Sequence, residues 1–215
     1  MITFDKYPGG KKKAVTMSYD DGMIFDKKLI EIFDKYGIKG TFHINSGFLG
    51  ASERKIKAEE IKEVYKNHEV AIHGVEHATL TKLKPQSMIG DVLEDRRALE
   101  KLMGYPVVGM SYANGAFSDV VCDVLKACGV VYSRTTQSTG KWGVPENFLK
   151  WHPTCHHKDS EANVDRFVNY TYGSGHLLYI WGHSYEFDND NNWDLIERVC
   201  QKLGAGEDIW FATNI

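Results

Sequence analysis

The stretch VTMSYDDG, from Val15 to Gly22, places two adjacent carboxylates directly after an apolar, strand-like segment. Like charges at such close range raise each other's pKa unless a cation or strong hydrogen-bond donors lie nearby. The pair Asp20 and Asp21 therefore predicts a positive charge close to the end of this first strand.

Strand-like and helix-like segments alternate along the sequence, which is typical of a parallel sheet. Because no glycine-rich phosphate loop follows the first strand, the pattern favours a regular or distorted (β/α) barrel over an open doubly wound sheet. We expect an α/β fold with about seven to eight strands, and residues 1–215 as a single domain. Expected strands are 14–19, 40–45, 69–74, 107–112, 130–135, 148–153, 177–183 and 208–214, and expected helices lie near 26–36, 58–67, 85–103, 119–128, 161–171 and 192–203.

The helix expected over 85–103 has the clearest signals. Proline suits its first turn and Gly104 provides a stop. Its apolar residues recur near helical spacing: Ile89, Val92, Leu93, Leu99 and Leu102.

Composition narrows the function classes. The net charge is -3 and 42% of the 215 residues are hydrophobic, which describes an ordinary soluble protein. With no basic excess, nucleic acid and anionic membranes are not expected as partners. No apolar run has the length of a signal peptide or membrane span, so the chain as given is expected in the cytoplasm, or outside the cell if a leader was removed. The four cysteines show no paired spacing and are expected as reduced thiols.

Polar side chains concentrate at the expected carboxyl ends of the strands, where a barrel keeps its active face. His73 and His77 lie four residues apart, a familiar spacing for metal ligands. Two histidines, one carboxylate and an open position form a known catalytic zinc arrangement. Such an ion would supply the positive charge that the aspartate pair needs: one aspartate would bind it and the other would take a proton from water.

At this point the sequence resembles the polysaccharide deacetylase family, the NodB-homology carbohydrate esterases of family 4, over roughly residues 13–213. The first family motif, T/S-F/Y-D-D-G, matches SYDDG at 18–22. The second motif, H-S/T-x-x-H, is similar to HGVEH at 73–77, with Gly74 in place of the hydroxyl residue. The last motif, an apolar strand that ends in histidine, is similar to LLYIWGHS, which contains His183.

The resemblance implies a role for each matching position. Asp20 would be the general base, Asp21, His73 and His77 the metal ligands, and His183 the general acid. The backbone N–H of Tyr112 would stabilise the oxyanion. The cofactor would be one divalent metal ion, with zinc as the default and cobalt, nickel or manganese also suited to such ligands. The substrate would be an acetylated oligo- or polysaccharide, with an amide or ester bond, and no feature of the sequence indicates an oligomeric state.

Two family motifs are altered in this chain. The third motif, R-P-P-F/Y-G, has only SYANG at 111–115 as its nearest match, without arginine or proline. Arg134, at the end of the fifth expected strand, is the candidate to orient Asp20 instead. The fourth motif, in which an aspartate beside a tryptophan tunes the acid histidine, has no clear match, and KWHPTCHH at 150–157 occupies its approximate place.

Several interpretations remain open. His152, Cys155, His156 and His157 form a second metal site, or Trp151 and one of these histidines line the substrate groove while Cys155 packs. Asn114, Trp151 and Trp181 are candidate substrate-binding residues, and Tyr112, Trp181 and Tyr185 are either sugar-stacking aromatics or the amphipathic belt of a barrel mouth. The alternative functions are a carbohydrate-binding module that has lost turnover and a hydrolase of a non-sugar amide.

Overall fold

The structure is a computed structural model that describes residues 5–215, so the first four residues of the expected domain lie outside it. Its strands are β1 Lys13–Asp20, β2 Gly40–Ile44, β3 Glu69–Ile72, β4 Gly109–Ser111, β5 Tyr132–Arg134, β6 Cys155–His156, β7 His176–Gly182 and β8 Ile209–Ala212. Its α-helices are α1 Asp26–Lys35, α2 Ile61–Val64, α3 Pro85–Met103, α4 Asp119–Ala127, α5 Ser160–Asn169, α6 Ser184–Asn189 and α7 Trp193–Gly204.

β1 is the centre of the sheet, and all eight of its residues are buried. The strands are parallel and follow the order β5-β4-β3-β2-β1-β7-β6. β2 pairs with the carboxyl-terminal half of β1, and β8 pairs with its amino-terminal half, so one edge of β1 serves two strands. Both faces of β1 are covered, so its polar residues Thr16, Ser18 and Asp20 are buried together with the apolar ones.

The segment Trp151–His156 joins the two ends of this curled sheet. Trp151 exchanges hydrogen bonds with β5, donating to Ser133 O at 3.1 Å and accepting from Thr135 N at 3.0 Å. A few residues later, β6 pairs with β7. The fold is therefore a distorted (β/α) barrel, which confirms the expected architecture.

One local expectation was wrong around this closure. Residues 148–153 do not form a continuous strand: Phe148–Lys150 is a 3₁₀ turn, and the pairing passes from β5 to β7 across Pro153, which has no N–H to donate. No helix follows β5, since residues 135–147 form a loop without regular structure. The barrel is distorted where its strand and helix alternation fails.

α3 shows how local sequence sets an element's ends and its inner face. Pro85 occupies the first turn and Gly104 ends the helix with a φ of 80°. Ile89 is exposed. The buried stripe consists of Met88, Val92, Asp95, Leu99 and Met103. Asp95 is the one charged residue in this buried stripe, and packing against apolar neighbours does not account for its burial.

The interior of the protein contains one large apolar cluster and the four cysteines. One cluster of buried apolar side chains runs from Val15 to Ile209. The four cysteines are buried free thiols. Within residues 5–215, no helix combines the length and the apolar character that crossing a membrane requires.

Candidate active site

Most of the expected site residues, though not Arg134 or Trp151, line one cavity of about 430 Å³ at the carboxyl ends of the strands. Its walls are formed by Asp20, Asp21, His73, His77, Tyr112, Asn114, Thr136, Trp181, His183 and Tyr185. A larger cavity of about 570 Å³ lies by Glu69 and Trp210, at the strands' other end. The smaller cavity is the candidate site because it contains the carboxylates and imidazoles together.

The two aspartates at the end of β1 diverge because the backbone turns between them. Asp21 has a φ of 82°, a left-handed conformation that aspartate tolerates better than most residues. Its N–H donates to His43 O at 2.9 Å, and its carbonyl accepts from Lys55 Nζ at 2.7 Å. Asp20 is 3% exposed, whereas the Asp21 side chain reaches the more open part of the cavity.

His73 and His77 meet Asp21 at the end of β3. The Oδ1 atom of Asp21 lies 3.6 Å from His73 Nε2 and 3.7 Å from His77 Nε2. Candidate ligand atoms from all three residues lie within 4.8 Å of one another. The positive φ values of Gly74 and His77 form the tight loop that brings the second imidazole back toward the first.

These three side chains fit a divalent metal ion. His73 Nε2 is buried and has no hydrogen-bond partner among the described residues. Its Nδ1 lies 3.1 Å from the carbonyl of Ser111, which can only accept, so the proton belongs on Nδ1 and the Nε2 lone pair is free. Separations of 3.6 and 3.7 Å are long for hydrogen bonds but close to the roughly 3.3–3.5 Å between ligands of a tetrahedral ion.

Asp95 holds the backbone of His73 in place by a hydrogen bond, and the sequence analysis did not identify this residue. Its carboxylate accepts from the backbone N–H of His73 at 3.0 Å and of Ser46 at 2.7 Å. Burial raises the pKa of Asp95 to about 6, although these hydrogen bonds oppose the rise. A charged residue on the apolar stripe of α3 was the available signal.

Asp20 is held by Arg134 in the barrel interior. Arg134 is completely buried, and its Nη2 donates to Asp20 Oδ2 while Nε donates to Ser18 Oγ at 3.0 Å. Burial alone would raise the pKa of Asp20, but Arg134 and then His73 lower it, so that it lies well below its usual range. The carboxylate is therefore ionised. Only one guanidinium nitrogen, Nη2, donates to Asp20, so the ion pair is not bidentate.

His183 lies just before α6, with its side chain against Glu186. Its Nδ1 lies 3.3 Å from Glu186 Oε2, and its backbone N–H donates to the same oxygen at 3.3 Å. Burial would lower the pKa of His183, but Glu186 and the two aspartates outweigh it and leave the pKa raised. Sequence reasoning missed Glu186, although the three-residue spacing in HSYE was a signal for a capping contact.

Trp151 and the Tyr112 N–H do not occupy their expected places. Trp151 is 4% exposed and packs edge-on against Tyr132 and Tyr179, away from the carboxylates, because it pairs with β5. The Tyr112 N–H donates to Arg134 O at 3.0 Å, since β4 and β5 pair there, so the expected oxyanion donor is already engaged.

The other candidate substrate-binding residues remain in the cavity wall. Trp181 lies beneath Arg134, whose guanidinium carbon is 4.5 Å from the centre of its ring. Asn114 Nδ2 donates to Thr79 Oγ1 at 2.9 Å. Tyr185 packs against the ring of His183. Asn114 and Tyr185 therefore line the same cavity as the candidate metal ligands.

The four residues considered for a second metal site separate into two groups. His152 contacts Thr135 Oγ1 at 2.7 Å, and Cys155 belongs to the core. Burial raises the pKa of Cys155 to about 12, which keeps its thiol protonated. His156 and His157 both face Glu186 instead.

Solved structures share this fold at low sequence identity. A candidate polysaccharide deacetylase from Mycobacterium smegmatis matches with a TM-score of 0.71 and 17% identity, over 97% of this chain and 89% of its own. The Streptococcus pyogenes deacetylase PplD, in complex with acetate, matches with a TM-score of 0.58 and 19% identity, over 63% of this chain and 61% of its own. A family 4 carbohydrate esterase pseudoenzyme from Bacillus anthracis matches with a TM-score of 0.57 and 16% identity, over 93% of this chain and 64% of its own.

This chain therefore spans less than two thirds of the Streptococcus pyogenes and Bacillus anthracis chains. No curated protein sequence matches it. The polysaccharide deacetylase family model matches residues 7–133, more than half of the chain and the part that carries both aspartates and both candidate histidine ligands. With that match and the shared barrel, the chain belongs to the polysaccharide deacetylase family.

Proposed function

We propose that this protein is a metal-dependent hydrolase that removes acetyl groups from an N- or O-acetylated oligo- or polysaccharide. The observation that carries the proposal is the pair of neighbouring carboxylates with different environments. Asp21 Oδ1 lies 3.6 Å from His73 Nε2 and 3.7 Å from His77 Nε2, and Asp20 is kept ionised by Arg134. Two groups whose surroundings give them separate tasks are typical of a hydrolytic site.

The donor set of Asp21, His73 and His77 suits zinc, with cobalt, nickel or manganese as alternatives. A bound ion would supply Lewis-acid polarisation of the acetyl carbonyl and of the attacking water. Asp20 accepts the proton of that water, and its lowered pKa keeps it in the accepting form. Arg134 fixes the orientation of this base.

His183 is the proposed acid. Because its Nδ1 faces Glu186, Nε2 is the nitrogen left for the departing amine or alkoxide. Its raised pKa favours the protonated form that a general acid needs. Asn114, Trp181 and Tyr185 supply the amide and aromatic surfaces with which a sugar ring would be bound.

The test is acetate release from acetylated chito-oligosaccharides, acetylated xylan and peptidoglycan fragments, with metal content measured on the same samples. Wild type should release acetate from at least one of them. Asp20→Asn should keep its metal but lose turnover, and His77→Ala should lose both turnover and the metal ion bound with Asp21 and His73. Wild-type protein that carries metal but releases no acetate from any of these substrates would contradict the proposal.

A second candidate function is carbohydrate binding without turnover. The engaged N–H of Tyr112 favours it, because an oxyanion donor is missing from the expected place. A pseudoenzyme with the same fold shows that a related barrel can lack activity. This candidate predicts sugar affinity in calorimetry with no more acetate than Asp20→Asn releases. Hydrolysis of a non-sugar amide would be favoured instead if wild-type protein bound no metal.

A further inference from the structure

A second group of metal-ligand side chains lies beside the candidate active site, on β6, the turn after it and α6. His156 Nε2 is 3.0 Å from Glu186 Oε2, and His157 Nε2 is 3.6 Å from the same oxygen. Candidate ligand atoms of the three residues lie within 4.8 Å of one another. The group thus repeats the donor set of the first site, two imidazoles and one carboxylate, with residues that the first site does not use.

The strongest sign of a ligand is His157. This imidazole is completely buried, and neither of its ring nitrogens has a hydrogen-bond partner among the described residues. Buried polar atoms are normally paired, because leaving one unpaired is costly. Its Nε2 is too far from Glu186 for a hydrogen bond, yet the 3.6 Å separation is close to that of two ligands on one ion.

The ring of His157 is held in one orientation. It stacks on Phe187 with the ring centres 4.1 Å apart. On another side it occupies space that only glycine leaves open, since a Cβ at residue 182 would lie 1.9 Å from His157 Nδ1. A fixed ring loses little freedom when its Nε2 binds an ion.

His156 and Glu186 supply the accessible side of the group. Each side chain is 19% exposed, so an ion and its remaining waters can reach them from solvent. His156 Nδ1 accepts from Lys158 N at 3.3 Å, which places the ring proton on Nε2. Binding through Nε2 requires the neutral tautomer with the proton on Nδ1, so the long contact from Lys158 N is given up.

Lys158 is a cation that competes with a metal ion for Glu186. Its Nζ is 3.5 Å from Glu186 Oε1 but only 3.0 Å from Asp190 Oδ2, and the side chain is 47% exposed. It can therefore keep Asp190 as its partner while Glu186 turns to an ion. His183 is the other group that contacts the Glu186 carboxylate, through Nδ1.

We propose that His156, His157 and Glu186 form a second binding site for a divalent transition-metal ion, with zinc as the best match to two imidazoles and a carboxylate. The site is separate from the one at Asp21, His73 and His77. Water would complete the coordination, because these residues supply three ligands.

The test counts bound zinc by equilibrium dialysis and elemental analysis, without reference to activity. We expect two zinc ions per wild-type chain, one in His156→Ala, one in His77→Ala and none in the double variant. His176→Ala, which removes a histidine from the other end of β7, is the matched control and should bind two. A zinc count that His156→Ala does not reduce, whether the wild type binds one ion or two, would overturn the proposal.

These counts also separate the second site from the proposed function. One zinc in wild type, lost with His156→Ala and kept in His77→Ala, would support the second site and contradict the first. Cobalt provides an independent reading: His77→Ala loaded with cobalt should show visible absorption typical of a four- or five-coordinate ion. That absorption should weaken in His77→Ala with Glu186→Gln, which keeps the side chain's shape but has a poorer ligand. Undiminished absorption would show that Glu186 is not a ligand of this ion.

Discussion

Arg134 Nη2 donates to Asp20 Oδ2, and this contact joins the end of β5 to the end of β1 inside the barrel. Both residues are almost completely inaccessible to solvent. In the family's third motif the arginine that orients the base follows the fourth strand, where this chain has SYANG. Here the neighbouring strand supplies the guanidinium to the same carboxylate.

We expect Arg134→Lys to lower turnover by about ten- to a hundredfold, the scale typical of losing a residue that supports the reacting groups. Lysine keeps the charge but not the simultaneous contacts with Asp20 and Ser18. Because Arg134 lowers the pKa of Asp20, a weaker partner lets that pKa rise, and the acidic limb of the pH-rate profile should move to higher pH.

Metal content should not change in this variant, since Arg134 contacts none of the candidate ligands Asp21, His73 and His77. Arg166→Lys, an exposed arginine over the Trp142 ring, is the matched control and should behave as wild type. If Arg134→Lys had normal turnover and an unmoved acidic limb, Asp20 would have to be oriented by another donor, and Ser111 Oγ at 3.2 Å is the nearest one.

The convergence of the cavity residues was predictable from the sequence. Parallel strands direct their carboxyl ends to one face, so residues that follow separate apolar runs meet there. Asp20, His73 and His183 are brought together in this way across more than 160 residues of chain. Arg134 could be proposed for the same reason, because its strand ends on that face.

Side-chain partners across the barrel were harder to predict. Asp95 supports His73 from α3 and Glu186 contacts His183 from α6, and no spacing rule says which carboxylate an element turns inward. Trp151 was misplaced because an apolar, aromatic segment suits a strand, while Pro153 prevents continuous pairing. Whether a backbone N–H is engaged, as at Tyr112, depends on strand register, which the sequence does not fix.

We expect Glu186→Gln to move the alkaline limb of the pH-rate profile to lower pH. The Glu186 carboxylate helps to raise the pKa of His183 against the effect of burial, so neutralising it lets that pKa fall. The acid form is then lost at lower pH, and turnover should drop more at alkaline than at acidic pH. Glu161→Gln, on the surface of α5, is the control, and an alkaline limb that stays in place would contradict the role of Glu186.

We expect Asp26→Asn to stabilise the protein at alkaline pH. Asp26 is buried, and burial raises its pKa to about 7, although hydrogen bonds from Ser184 Oγ and Tyr65 OH oppose the rise. The folded state therefore binds this proton more tightly than the unfolded chain, whose aspartate titrates near pH 3.9. Its contribution to stability is present in full below about pH 4 and is lost as the pH rises to about 7.

Urea unfolding at pH 5 and pH 8, with a chelator to remove metal, measures this difference. Asparagine mimics the protonated acid, so at pH 5, where wild type has lost only part of this contribution, the variant should exceed wild type by about 1–2 kcal/mol. At pH 8 it should exceed wild type by a free energy of unfolding on the order of 2–4 kcal/mol. Asp188→Asn, an exposed position on α6, is the control. An Asp26→Asn variant less stable than wild type at pH 8 would show that the carboxylate is favourable when ionised.

The glycine in HGVEH offers the sharpest test of why this chain departs from its family. Gly74 has a φ of 81°, and a Cβ there would lie 2.6 Å from Asp91 Oδ2. The other oxygen of Asp91 accepts from Val75 N at 3.1 Å. A carboxylate from α3 thus occupies the space beside this loop that a side chain at residue 74 would need.

We therefore expect Gly74→Ser, which recreates the family motif, to weaken the protein instead of improving it. Backbone strain and the contact with Asp91 should lower the free energy of unfolding by about 1–3 kcal/mol. Zinc affinity should fall with it, since His73 and His77 flank the loop. Gly90→Ser, at a helical glycine with open space around it, is the matched control. The double variant Gly74→Ser with Asp91→Ala lacks this contact, so its loss of unfolding free energy should be smaller than the sum of the losses in the two single variants. A loss equal to that sum in urea unfolding would mean that Asp91 is not the obstacle.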